Sequence, residues 1–292
     1  PLRRQRQMCI RDRLSALCIF PIVFVFSISI SSETSIQKNG YQLIPQELSA
    51  AAYQFLWNER GTILHATFIS ILVTALGIIL SVLLTTTMGY VVSRNTYKLK
   101  SFYTWVIFIP MIFNGGMLAG YVVNTNILHL RNSIWALILP LAVSPFNIVI
   151  CKTFFKTTIP DSIVESAKID GAGHTKIFFQ ITFPLGKPIL VTMGLFSALA
   201  YWNDWTNGLY YLSGNQGQKL YSIQNLLNQM ITDIQYLASG KVAGNIGAEV
   251  AKLPTTSIRM AIAFIAMLPL FIIYPFLQKY FAEGITLGAV KG

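Results

Sequence analysis

Glu165-Ser-Ala-Lys-Ile-Asp-Gly-Ala-Gly-His-Thr-Lys-Ile-Phe-Phe-Gln-Ile-Thr-Phe-Pro184 is a charged, glycine-bearing stretch between two long apolar runs. In so apolar a chain, such a segment marks where the polypeptide leaves lipid for water. Just upstream, Asp161 and Ser162 are good helix caps. Ser162, followed three residues on by Glu165, also fits a capping box, in which each side chain satisfies a free backbone N–H. The spacing predicts a short helix from about Ile163. Gly171 and Gly173 take φ > 0 at little cost, so this helix bends or ends there. A second short helix follows, with Ile177, Phe178 and Ile181 on one face and Pro184 and Pro188 to stop it. On these residues alone, an ordinary solvated connection remains an equal reading.

Composition narrows the class. Of the 292 residues, 53% are hydrophobic and 11% charged, about half the charged share of a typical soluble domain. Uncharged runs able to cross a hydrocarbon core roughly 30 Å thick, at about 1.5 Å of helix per residue, recur along the chain. The expectation is an all-α membrane protein with six spans, over about 14–30, 62–93, 102–124, 133–155, 188–212 and 257–280. The run Thr62–Ser93 has no formal charge over 32 residues, so its roughly 48 Å of helix must tilt or project from the bilayer. Pro110 and Asn114-Gly-Gly loosen the third span, and Pro140 and Pro145 interrupt the fourth. Pro254-Thr-Thr-Ser gives the sixth a capped start.

Residues 1–13 look like translated adapter sequence and are set aside as a non-native leader, a basic anchor being the plainer alternative; without them the net charge falls from +11 to +7. A charge of +11 invites a nucleic-acid reading, but the basic residues lie in short blocks between apolar runs, with no basic face and interleaved aromatics. Topology explains them better. Arg94, Lys98, Lys100, Lys152, Lys156, Lys168, Lys176, Lys187, Lys279 and Lys291 fall on the side of the 156–187 loop, which favours that side, and both termini, as cytoplasmic.

Chemistry is sparse. No Gly-x4-Gly-Lys-Ser/Thr occurs, and Gly186-Lys187 lacks the upstream glycine. His65, His129 and His174 have no metal-ligand spacing, and Cys9, Cys18 and Cys151 form no disulfide pattern. No carboxylates pair inside spans as a proton-coupled carrier would need. The chain reads as a conduit with no engine, metal or nucleotide site of its own, and not as an enzyme.

Glu165-Ser-Ala, Asp170-Gly171-Ala172, then Phe178, Ile181 and Phe183-Pro184 resemble, in order and spacing, the EAA…DGA…I-x-LP signature loop of ABC-importer membrane subunits. Ser166 stands for an alanine of the motif and Phe183 for its leucine. The ending Tyr280-Phe-Ala-Glu-Gly-Ile-Thr-Leu-Gly-Ala-Val-Lys-Gly292 is similar to that of MalG-like permeases of carbohydrate ABC importers, and the resemblance extends from about Leu14 onward. It implies the type I importer permease fold in a bacterial cytoplasmic membrane. The implied partners are a second homologous permease, two ATPase subunits holding ATP and Mg, an extracellular solute-binding protein, an oligosaccharide or related carbohydrate, and membrane lipid.

By the same resemblance, loop 156–187 is the coupling helix that docks on an ATPase, through Glu165, Ser166, Ala167, Asp170, Gly171, Ala172, Ile181 and Pro184. The tail, 281–292, would reach between the ATPases through Gly284, Gly288, Lys291 and Gly292, a frayed terminus being the plainer reading. Within the fifth span, Tyr201-Trp202-Asn203-Asp204-Trp205 offers aromatic faces for sugar rings and polar groups for hydroxyls. An interfacial aromatic belt or helix packing is the plainer reading of it. Residues 213–256 are expected as a long polar outer connection. The rivals from other classes are a self-contained carrier or channel for small polar solutes, which would need no ATPase, and a membrane enzyme.

Overall fold

The computed structural model describes residues 2–238, 255–269 and 271–272. Helix α1 (Leu2–Ser29) covers the first expected span and runs without a break through residue 13. The segment after it folds as α2 (Glu33–Asn39) and α3 (Ala51–Asn58), with one antiparallel bridge between Ser31 and Leu48. Helix α4 (Arg60–Ser93) is a single piece of 34 residues, with no proline to break it and no formal charge from Thr62 on. The third span is α5 (Lys100–Ile112) and α6 (Gly116–Val122), the latter running into a π turn over Val123–Ile127. They part where expected: the Asn114 side chain accepts from the Gly116 N–H at 2.9 Å, and Gly116 takes φ +76°.

The fourth span is α7 (Trp135–Ile138), a 3-10 turn over Leu139–Leu141, and α8 (Pro145–Thr158), with a 50° bend between them. The signature loop holds α9 (Asp161–Ile169), α10 (His174–Ile177) and α11 (Phe183–Leu185). The fifth span, expected as one helix, is two: α12 (Lys187–Trp202) and α13 (Thr206–Tyr211). The supposed polar connection carries α14 (Gly214–Gln218) and the 16-residue α15 (Ile223–Ala238). Ile223, Leu226, Leu227 and Met230 recur there at i, i+3, i+4 and i+7, an apolar stripe that specifies a helix needing cover. Helix α16 (Thr255–Pro269) opens the sixth span, whose later residues mostly lie outside those described.

Among the described residues, α1 and α4 alone are long and apolar enough to cross a membrane unbroken, and two bent pairs raise the number to four. The six expected segments are therefore helical where described, and the third, fourth and fifth are interrupted.

Contacts divide the chain into two units, one formed by residues up to Ala66 and from Ile223, the other by Thr67–Ser222. In the first, the start of α16 is capped from far away. The Glu33 carboxylate accepts from the Thr256 and Ser257 N–H groups at 3.1 Å. Phe26 and Phe264 pack beside it, ring centres 4.8 Å apart.

In the second unit, glycine sets how closely helices approach. A Cβ on Gly89 would lie 2.5 Å from that of Cys151, which places α4 hard against α8. A Cβ on Gly77 would meet the Tyr201 ring at 2.4 Å, so α12 leans into α4 there, and the buried hydroxyls of Ser81 and Ser197 pair at 2.9 Å. Small residues allow such contact where burial in lipid gives no hydrophobic drive. Gly116 and Gly120, spaced for a small-xxx-small contact, meet nothing within 4 Å. Phe68, Ile79, Phe102, Trp105 and Ile112 are exposed along α4 and α5, a carbon surface that suits lipid or a neighbouring subunit rather than water.

Candidate functional site

The elbow of residues 156–187 is built on the ends of α4, α8 and α12. A core cluster of Tyr90, Cys151, Phe155, Ile159, Val164, Ala167, Ile177, Phe178, Ile189 and Met193 lies beneath it. Burying one such side chain is worth about 1.5–3 kcal/mol where the alternative is water.

Helix α9 starts at Asp161, two residues before the expected position, straight after Pro160, and it has no side-chain cap. The capping box does not form; instead the Asp161 carboxylate is engaged by Arg94, 3.1 Å away. At its other end α9 closes as the sequence anticipates. Gly171 sits at φ +78°, the Ala172 N–H donates to the Ala167 carbonyl at 2.9 Å, and the Gly171 N–H donates to that of Lys168 at 3.0 Å. This is a Schellman-type stop. Gly173 differs from expectation: its backbone is extended, φ −70°, so one glycine of the pair supplies the bend.

Beyond it, Ile177 and Phe178 are buried and Ile181 is half-buried, as the shared face requires. Pro184 does not end the helix. It lies within α11, after a π turn over Phe178–Thr182. The widened turn has a cause in proline itself, which offers no N–H and whose ring clashes with the carbonyl four residues earlier. The chain turns two residues later, by 82°, between α11 and α12. Gly186 occupies the corner because a Cβ there would lie 2.9 Å from the Phe155 ring and 3.0 Å from the Thr182 carbonyl oxygen.

The eight coupling candidates sort into two groups. Glu165, Ser166, Asp170, Gly171 and Pro184 are exposed, while Ala167 is buried and Ala172 and Ile181 are half-buried. The alanines thus hold α9 close to the core, and the polar residues face away from it. Ile169, which the sequence reading passed over, is 86% exposed among them. Its signal was an isoleucine on a short helix but off the Val164/Ala167 face.

Arg94 was read from sequence as a topological charge and proves to be a junction. Its side chain is buried, with Nη2 donating to the Phe155 carbonyl at 2.8 Å and Nη1 to the Ile159 carbonyl at 3.0 Å and to Asp161 Oδ1 at 3.1 Å. Nε donates to Ser93 Oγ at 3.0 Å, and the guanidinium lies 5.1 Å from the Tyr90 ring centre.

At the far end of α12, the Tyr201-to-Trp205 constellation is drawn largely inward. Tyr201 and Trp202 are buried, and the Tyr201 hydroxyl donates to the Ile138 carbonyl at 2.8 Å. Asp204 caps α13, accepting from the Thr206 N–H and hydroxyl at 3.2 and 2.8 Å and from the Asn207 N–H and side-chain amide at 3.3 and 2.8 Å. Asn203 and Trp205 are exposed. Packing and capping therefore account for Tyr201, Trp202 and Asp204. The tail residues Gly284, Gly288, Lys291 and Gly292 lie outside the described residues.

This architecture is that of a transporter membrane subunit. It aligns, with a TM-score of 0.79 over 96% of both chains and at 23% identity, with the crystal structure of a bacterial ABC transporter involved in the import of the acidic polysaccharide alginate. Residues 74–287 match the family described as binding-protein-dependent transport system inner membrane component, and the chain belongs to that family. It is 35% identical to the polygalacturonan/rhamnogalacturonan transport system permease protein YtcP of Bacillus subtilis, over 94% of this chain and 93% of that protein. It is 34% identical to protein LplC of the same organism, over 96% and 91% of the two chains. To the melibiose/raffinose/stachyose import permease protein MelC, also of Bacillus subtilis, it is 30% identical over 99% of each.

Proposed function

We propose that this chain is one permease subunit of an ATP-driven importer that carries an oligosaccharide or related carbohydrate across the bacterial cytoplasmic membrane. Its complex comprises a second, homologous permease, two ATPase subunits that hold ATP and Mg, and an extracellular solute-binding protein. Both termini and the 156–187 elbow face the cytoplasm. The carbohydrate cargo rests on the relatives' names, which speak of polygalacturonan/rhamnogalacturonan and of melibiose, raffinose and stachyose.

The observation that carries the coupling role is the elbow's division of labour. Glu165, Ser166, Ile169 and Asp170 stand exposed on α9, while Val164 and Ala167 fix that helix to the core on which α8 and α12 also rest. The outer side of α9 offers a partner's groove Ile169 as an apolar anchor with Glu165, Ser166 and Asp170 as a polar rim. A displacement of α9 passes through Val164, Ala167, Ile177 and Phe178 to the membrane helices.

Substituting Gly171 by Asp tests this directly. Aspartate tolerates the left-handed backbone better than most residues, and nothing lies within 4 Å of the added Cβ. The expected result is a subunit inserted at wild-type level in a complex that hydrolyses ATP without carbohydrate uptake. Normal coupled uptake would overturn the assignment of the elbow.

A further inference from the structure

We infer that Arg94 is a positioning residue that locks the hinge between α8 and α9, so that movement of the elbow is delivered to the membrane helices and not absorbed at residues 159–160. The inference rests on the coupling role proposed above and adds to it the residue that makes the link stiff.

Between the last residue of α8, Thr158, and the first of α9, Asp161, only Ile159 and Pro160 intervene. Pro160 has its φ fixed by its ring and keeps Ile159 out of the helical region, but Ile159, at φ −117° and ψ 94°, retains the breadth of the extended region in which to bend. Arg94 grips both sides of this joint. It donates to the Phe155 and Ile159 carbonyls before Pro160 and to the Asp161 carboxylate after it. Asn95 adds a longer contact to Asp161 Oδ2, at 3.4 Å. Arg94 itself follows directly on the end of α4, where the Ser93 hydroxyl accepts from Nε, and its planar group packs on Tyr90 of that helix. One guanidinium therefore joins α4, α8 and α9.

The chemistry is particular to arginine. Carbonyls in the last turn of a helix carry partial negative charge, so a cation is favoured there, and the Phe155 carbonyl takes Arg94 in addition to the Ile159 N–H at 3.1 Å. The fork of fixed N–H groups reaches two carbonyls, a hydroxyl and a carboxylate at once. Lysine has one nitrogen and no fork, and cannot span the joint. Because Asp161 is 47% exposed on its side chain while Arg94 is 8% exposed, the two ends of the latch can be altered separately.

The test uses the complete transporter in proteoliposomes, with the solute-binding protein and its carbohydrate, and reads carbohydrate taken up per ATP hydrolysed. Arg94→Lys is expected to lower that ratio about tenfold, a size typical of coupling between sites, and Asp161→Ala, which removes a half-exposed ion pair, about threefold. Assembly with the partner subunits and thermal stability of Asp161→Ala stay at wild-type values, which separates lost transmission from lost folding. Should Arg94→Lys fail to insert, Asp161→Ala decides alone. A wild-type ratio in Asp161→Ala overturns the latch and leaves the importer reading standing. Absence of ATP-driven uptake by the wild-type complex overturns both.

Discussion

The two ends of α12 are both rich in polar residues, and they use them in opposite ways. Before Lys187 the elbow turns its small and apolar residues inward, Ala167 and Ile177 among them, and leaves Glu165, Ser166 and Asp170 in the open. After Trp202 the chain buries Tyr201 and Trp202, and Asp204 is occupied by its own helix cap. Polar sequence between apolar runs thus marks a break in the membrane pattern without saying whether the break is a surface or a plug. The partners of the polar groups decide that: Glu165, Ser166 and Asp170 are left exposed at one end, while at the other Asp204 is taken up by its own helix and the Tyr201 hydroxyl by the Ile138 carbonyl.

The strongest way to break this comparison is to remove a buried ring. Tyr201→Ala empties the space beside Gly77 and leaves the Ile138 carbonyl without its donor, at an expected cost of about 3–5 kcal/mol. Thermal unfolding of the purified complex measures it. Unchanged stability with altered carbohydrate preference would instead make Tyr201 a substrate contact. A smaller effect, about 1 kcal/mol, is expected of Asp204→Ala, the usual cost of a lost N-cap, seen as faster amide exchange over residues 206–211. The smallest change in stability belongs to Glu165→Gln, within about 0.5 kcal/mol because the side chain is exposed. Its uptake should fall at that unchanged stability; a large loss of stability would mean that Glu165 supports the fold rather than a partner.

Much of this was legible in the residues. The uncharged run from Thr62 to Ser93 pointed to a single long helix, and Gly171 with the Ile177/Phe178 pair foretold the shape of the elbow. What escaped did so for identifiable reasons. Arg94 finds its partners 61 to 67 positions away, beyond any local pattern. The capping box at Ser162 and Glu165 was outcompeted by an ion pair that draws the helix start forward to Asp161. The break at Asn203 to Trp205 reads as polar sequence within a span, but that Asp204 closes on Thr206 and Asn207 depends on backbone geometry. Helix α15 was visible in its apolar spacing, and the polar average of residues 213–256 concealed it.

The carboxylate of Glu33 sets a schedule for synthesis. It seals the first turn of a helix made 222 to 224 residues later, so this cap closes only once residues 255–257 have been translated. Contacts of such long separation form slowly. A truncated product that stops before Thr255 therefore leaves the Glu33 carboxylate without these backbone partners.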